Sequence, residues 1–326
     1  MTINVKHKVK FFLVLVFFSF SVITKSQTKN DAIDTYNLGV QLISTDLEMA
    51  IKHFNECLDI CTSIGAEGKE IRINVEKQLP GLYYKSAINL YKEKKTAEAI
   101  KSFEETLLIS EKYEDIKTKD RTKNILSQLY YAKGNNYYKK QDYENAVIDY
   151  DKALELNPKY TKAYLNKGLV YKKLEDIENL LATMDKAIEF AREADDSTTL
   201  AKAKKTCRDY LMNKGTIALE NKSFDEAINF LTTSLNYDDQ NPGIYFRLTS
   251  AYNKQEKWDD AIKSARKALE FEENNKEKTA KIYYELGNAY LAKDDNNAAC
   301  QAYKNAAYGA YIEAANYQIQ HVLKCD

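Results

Sequence analysis

The stretch Ser127–Tyr160, SQLYYAKGNNYYKKQDYENAVIDYDKALELNPKY, decides the fold. Its aromatic and small apolar residues fall in two runs at helical spacing, Tyr130, Gly134 and Tyr137, then Ala146, Tyr150 and Ala153. Such spacing marks two amphipathic helices. The polar run Lys140-Gln141-Asp142 supplies the turn between them, and Pro158 closes the second helix because a residue before proline avoids helical backbone. Antiparallel helices approach closely only where small side chains face each other, and Gly134 and Ala146 meet that need. One such hairpin cannot bury its own apolar face, so neighbours must stack on it.

In a 34-residue frame, Tyr130, Gly134, Tyr137, Ala146, Tyr150, Ala153 and Pro158 stand at positions 4, 8, 11, 20, 24, 27 and 32. These positions resemble the defining positions of the tetratricopeptide repeat. The next unit keeps the frame with Tyr164, Gly168, Tyr171, Ala187 and Ile188, but Leu180 and Met184 replace the small and aromatic residues at positions 20 and 24. Working outward, repeats are expected near 32–64, 80–113, 127–160, 161–194, 208–241, 242–275 and 280–309. Five of the ten glycines, Gly39, Gly134, Gly168, Gly215 and Gly287, occupy position 8. The expected fold is all-α, a right-handed α-solenoid of about seven helical hairpins forming a single superhelix over 27–326. Gly309 is expected to end a helix, and 310–324 to form the C-terminal capping helix that stacked repeats need.

Successive position-8 residues, Gly39, Ala87, Gly134, Gly168, Gly215, Thr249 and Gly287, are 48, 47, 34, 47, 34 and 38 residues apart. The three long steps predict elongated helix pairs around 61–79, 108–127 and 190–210. Sharing the excess equally adds about two turns to each helix. Gly65 and Gly68 predict a break in the first of these.

The first 26 residues read as a secretory signal peptide. A basic stretch with Lys6, Lys8 and Lys10 precedes the apolar run Phe11–Ile23, and Ser26 is a small residue ahead of Gln27. This run of thirteen residues is too short to span a bilayer. Cleavage near Ser26–Gln27 would deliver the chain to the periplasm, the extracellular space or the cell surface; an uncleaved anchor is the alternative. Without Lys6, Lys8, Lys10 and Lys25, 48 acidic residues face 44 basic ones, and no basic stripe of the kind that draws nucleic acid occurs. No second apolar stretch predicts membrane insertion.

Catalytic chemistry finds little footing. Beyond His7 only His53 and His321 remain, at opposite ends of the chain, and no glycine-rich phosphate loop occurs. Neither metal nor cofactor is expected, and the chain is not expected to be an enzyme. Among the five cysteines, Cys300 lies early in a second helix and Cys325 near the end of the cap. An antiparallel cap would bring these two together, and the chain end resembles that of bacterial exported repeat proteins in which a helix cysteine and a final cysteine recur. A disulfide and two buried free thiols are the alternatives. Cys57 and Cys61 lie four apart on one helix face as packed thiols or a local bond, and Cys207 remains single.

The resemblance implies a concave groove lined by positions 2, 5, 9, 12 and 13 of each first helix. Carried onto this sequence, the aromatic positions are Tyr36, Tyr84, Tyr91, Tyr131, Tyr138, Phe246 and Tyr284. Asn135, Lys139, Asn166, Lys172 and Lys173 add polar and positive groups near the groove centre. Aromatic rings with polar tips serve contact surfaces and repeat packing alike. Some family members hold a terminal carboxylate with lysines and asparagines in a clamp. Asn135 and Asn166 match its asparagines, but Tyr131, Asp209 and Asn213 stand where its cations belong. No such clamp is therefore expected. The resemblance implies a non-catalytic scaffold or adaptor of the cell envelope, with a peptide or helix of a partner protein in the groove. Structural self-association, as a homo-oligomer, is the alternative.

Overall fold

The computed structural model describes residues 27–272 and 275–325, and among them it contains helices and turns with no strand. The expected signal segment, 1–26, lies outside the described residues. The helices group into two compact units that divide between Lys119 and Asp120.

The first unit holds α1 (Lys29–Leu42), α2 (Leu47–Ser63), α3 (Lys69–Lys92) and α4 (Thr96–Lys112). Its core gathers Phe54, Cys57, Cys61, Val75 and Leu79. Helix α5 (Ile116–Lys139) contains the division. The second unit continues with α6 (Tyr143–Leu156), α7 (Thr161–Leu174), α8 (Ile177–Glu193) and α9 (Ser197–Glu220). It is completed by α10 (Phe224–Ser234), α11 (Pro242–Lys254), α12 (Trp258–Phe271), α13 (Lys276–Ala292), α14 (Asn296–Ala306) and α15 (Ile312–Tyr317). Helices pair as consecutive hairpins, an A helix with the B helix that follows; within the units α2 also packs on α3, and α6, α8, α10 and α12 each pack on the A helix that comes next.

One contact recurs through both units. The position-8 residue of an A helix lies beneath the position-24 residue of its B helix. A methyl group added at Gly134 would stand 2.8 Å from Tyr150, at Gly215 2.7 Å from Leu231, and at Gly287 2.7 Å from Tyr303. Close approach therefore requires glycine at these positions. Tyr150 and Tyr303 are among the largest side chains that are fully buried.

The hairpin turns share a backbone device. Lys94, Gln141, Glu175, Lys222, Glu256 and Asp294 all have positive φ, and the residue after each donates its N–H to a carbonyl five residues back, as Asp142 does to Tyr137. This closes the A helix by a left-handed cap. Asp142, Asp176 and Asp295 then accept the N–H three residues on and start the B helix. The first hairpin turn is one residue shorter and contains no left-handed residue.

The long junctions are elongated unevenly. The A helices α3, α5 and α9 have 24 residues against 14 in α7, whereas α2, α4 and α8 have 17 against 14 in α6. The equal sharing expected from the spacing is corrected by where the caps lie. Glu114 and Asp195 take left-handed backbone and end α4 and α8, and Asp115 and Asp196 cap the A helices that begin at once. In the first junction the expected break is a 3-10 turn at Gly65–Gly68. At the C-terminus the expected single cap is three pieces, a 3-10 turn at Gly309–Tyr311, the six-residue α15 and a π-helical turn at Gln318–Val322. The preceding helix already ends at Ala306, before Gly309.

Candidate functional site

In the second unit successive A helices touch one another, α7 with α9, α9 with α11 and α11 with α13, whereas successive B helices make no comparable contact. A hairpin stack whose A helices are the closer layer bends toward them. The A-helix face of this unit is thus the inner one, and positions 2, 5, 9, 12 and 13 lie along it.

At its N-terminal end, α5 and α7 are joined by side chains. Asn166 donates from Nδ2 to Asn135 Oδ1 at 2.7 Å and to the Tyr131 hydroxyl at 3.0 Å. The Tyr150 hydroxyl donates to Asn135 Oδ1 at 2.8 Å. Both lone pairs of Asn135 Oδ1 are thereby used. The Asn135 NH2 and Asn166 Oδ1 have no partner among the described residues, so one donor and one acceptor remain open on a half-buried surface. Tyr131 is held between the rings of Tyr150 and Tyr160, with centroids 6.0 and 5.0 Å away. Burial raises the phenol pKa of Tyr150 and Tyr160, with Tyr131 adding to it in both, so both phenols keep their protons.

The structure brings together only part of the set read from the sequence. Tyr131, Asn135 and Asn166 form one cluster. Tyr138 is half-buried against Tyr143, and Lys139 is exposed beside it in the last turn of α5. Lys172 and Lys173 lie in the last turn of α7, where a helix C-terminus favours positive charge. Farther along, Phe246 carries the Lys281 ammonium 4.5 Å above its ring. Tyr284 is enclosed between Tyr303 and Tyr311, and so packs the C-terminal end. Tyr84 packs edge-on against Phe103 in the first unit, and Tyr91, 48% exposed, also belongs to that unit. Neither is part of the cluster at Tyr131. Asp209, which stands where a clamp would have a cation, is paired with Arg208 at 2.6 Å.

Sequence reading passed over Arg247, Lys281 and Tyr160. Lys281 stands at position 2 of its repeat, a groove position that an aromatic count ignores, and Arg247 at position 6 falls outside the groove set. Tyr160 sits in the turn before α7, and only its ring contact with Tyr131 reveals it.

Cys300 and Cys325 form a disulfide, with Cα atoms 5.9 Å apart. It ties the last turn of the chain to α14, and Cys325 N–H donates to the Ile319 carbonyl. Cys57, Cys61 and Cys207 are free and buried. Burial pushes the Cys57 thiol up to about 12, aided by Cys61, and burial pushes Cys207 to about 12, aided by Asp185. Thiols held this far above neutral pH are poor nucleophiles. Among the described residues no group of three histidine, cysteine or carboxylate side chains could hold a metal ion, and no helix is long and apolar enough to cross a membrane.

Family profiles match parts of the second unit. A TPR repeat matches residues 134–175, and a tetratricopeptide repeat matches 161–193 and 280–308. The chain carries tetratricopeptide repeats. Solved structures of tetratricopeptide proteins resemble it at low identity. YrrB, described as a TPR protein with an unusual peptide-binding site, is 20% identical over 60% of this chain and 88% of its own, with a TM-score of 0.32. The P58(IPK) TPR domain is 15% identical over 90% and 98%, with a TM-score of 0.33. The TPR2AB domain of yeast Sti1, in complex with pHSP90, is 14% identical over 89% and 95%, with a TM-score of 0.31. No curated protein matches the chain. The match over 134–175 spans both Asn135 and Asn166.

Proposed function

We propose that this chain is a non-catalytic scaffold of the cell envelope that holds an extended or helical segment of a partner protein along the A-helix face of its second unit. The observation that carries this reading is the open pair at Asn135 and Asn166. A free NH2 and a free carbonyl oxygen, side by side and fixed by three hydrogen bonds, complement the C=O and N–H of a peptide backbone. Fixing them in advance lowers the entropy lost on binding. Tyr138 adds apolar area, and Lys139 and Lys173 give the face positive charge.

The compartment is part of the proposal. A stable Cys300–Cys325 disulfide suits an oxidising environment outside the cytosol. Cleavage ahead of Gln27 would leave intact the Thr28 cap of α1, whose side chain and that of Asp31 bond each other's backbone N–H. A second reading, lateral self-association, draws on Leu108 and Ile116, which are 67% and 71% exposed in the first unit.

The test compares residues 27–326 with a Tyr138→Ala/Lys139→Glu/Lys173→Glu variant in affinity capture from envelope extract. None of the three side chains hydrogen-bonds Asn135 or Asn166, so the variant should keep its helicity, with a lower melting temperature because Tyr138 packs beside Tyr150 and both lysines sit at helix C-termini. Loss of a captured partner in the folded variant is the expected result. Equal capture by both proteins would remove the A-helix face from the account. A mass that rises with concentration in sedimentation, alike for both, would favour self-association.

A further inference from the structure

A cleft of about 310 Å³ opens between α11 and α13, with Phe246, Gly243, Lys281 and Ile282 among its walls. Its charges are unbalanced. Lys278 pairs with Glu272 at 3.3 Å, and that carboxylate is itself 8% exposed. Lys281 has no ion-pair partner among the described residues, although it lies half-buried over the Phe246 ring. Arg247 is half-buried too, and its two hydrogen bonds go to neutral oxygens, from Nε to Thr216 Oγ1 at 2.8 Å and from Nη1 to the Gly243 carbonyl at 2.9 Å. Among the described residues the charges acting on Lys281 are thus two cations, Lys278 and Arg247, and a single carboxylate, Glu272. Burial, with Arg247 as the next cause, holds the Lys281 ammonium below its usual range, and burial does the same for Arg247. A half-buried charge without a counter-charge is costly to maintain, and an arriving anion removes that penalty.

We propose that this cleft takes the carboxylate of a glutamate or aspartate side chain from an acidic peptide segment, with Lys281 holding the charge, Arg247 adding positive potential from beside the cleft, and Phe246 and Ile282 covering the methylene stem. The inference rests on the reading of the A-helix face as a peptide surface. A mixed wall of cation and apolar ring fits an acidic side chain, which is apolar along its stem and charged at its tip. It fits phosphate less well, because a phosphate oxygen would face the Phe246 ring. The carboxylate replaces water at Lys281 and gains a charge-assisted bond in a partly desolvated place.

The experiment uses residues 27–326 and two labelled heptapeptides, Leu-Glu-Glu-Leu-Glu-Glu-Leu and its glutamine twin. Acetylation of individual lysines is followed by mass spectrometry and binding by fluorescence anisotropy. The expected result is at least threefold protection of Lys281 by the glutamate peptide and none by the twin. Lys281→Met should weaken binding of the glutamate peptide at least fivefold and flatten its salt dependence. Arg247→Gln is the poorer variant, because Arg247 also ties α11 to α9 through Thr216. Equal binding of the two peptides, or protection of Lys281 by inorganic phosphate alone, overturns the cleft assignment. Failure of both peptides to bind at millimolar concentration overturns it as well. The proposed scaffold role fails separately, through unchanged partner capture by the Tyr138→Ala/Lys139→Glu/Lys173→Glu variant.

Discussion

The third and sixth hairpins solve one packing problem with opposite allocations of bulk. In the third, Gly134 on the A helix admits the whole ring of Tyr150 from the B helix. In the sixth, the same two positions hold Thr249 and Ala265, both fully buried, so the larger side chain sits on the A helix. Interhelical space is what the repeat conserves, and either partner can fill it. The polar consequence differs. Only a ring as long as tyrosine reaches past the A helix to bond its inner face, as Tyr150 does at Asn135 and Tyr303 at Asn288. The glycine-tyrosine version thus links core packing to the candidate site, and the threonine-alanine version does not.

That contrast can be broken most strongly at the glycine. Gly134→Ala places a methyl 2.8 Å from a ring that is buried and hydrogen-bonded, so it must shift both the helix and the Asn135 bond. The expected loss is about 1–3 kcal/mol, measured by urea unfolding. Gly39→Ala is the control. There the nearest Phe54 atoms stand at 3.4 Å, and the better helix propensity of alanine, about 1 kcal/mol, should leave stability unchanged or raised. Similar losses at both sites would mean that the close approach at Gly134 relaxes freely and that the pairing does not govern spacing.

The glycine frame was legible because steric need leaves one residue type at a fixed period, and five glycines in register at position 8 gave the repeat away. The long helices were legible too, since the spacing of position 8 counts residues whatever their identity. The allocation of the extra turns was hidden. It depends on Glu114 and Asp195 adopting left-handed backbone, which their residue types do not announce. The candidate site was half legible. Position numbers lead to Tyr131, Asn135 and Asn166, which the structure joins by hydrogen bonds, and equally to Tyr84 and Tyr284, which it sets against Phe103 and Tyr303. Arg247 and Lys281 were missed because an unbalanced charge is a property of the surroundings, not of the sequence.

The junctions allow a smaller test of the same comparison. The short junction between α6 and α7 is closed by Pro158, whereas the long one between α8 and α9 relies on Asp196. Its carboxylate accepts from the Thr199 hydroxyl and N–H and from the Thr161 hydroxyl, and these bonds hold its pKa below the usual carboxylate range. Asp196→Ala should cost about 1 kcal/mol near neutral pH. Because the folded carboxyl has the lower pKa, its contribution is present above the unfolded value and fades as pH falls through the folded one. The gap between wild type and variant in thermal melts should therefore close in acid. A gap that stays constant from neutral pH to acid would assign the loss to packing instead of to the cap.

The smallest expected effect lies in the turn of the third hairpin. Gln141 has φ of 61°, a left-handed conformation that side chains with a Cβ adopt at a cost of about 1 kcal/mol or more. Glycine removes that penalty but also loosens the unfolded chain, so the two changes partly cancel. Gln141 is exposed, and its contribution to the cap is backbone alone, its N–H to Tyr138 and that of Asp142 to Tyr137. Gln141→Gly should consequently raise stability by a few tenths of a kcal/mol up to about 1. The first hairpin sharpens the point. Its turn reaches Asp46 without a left-handed residue, so glycine at Ser44 can only add unfolded-state freedom and should destabilise. Opposite signs at Gln141 and Ser44, read as shifts in melting temperature, would show that the left-handed turn is a strained feature of the full-length hairpins. Equal signs would place the effect in the unfolded chain.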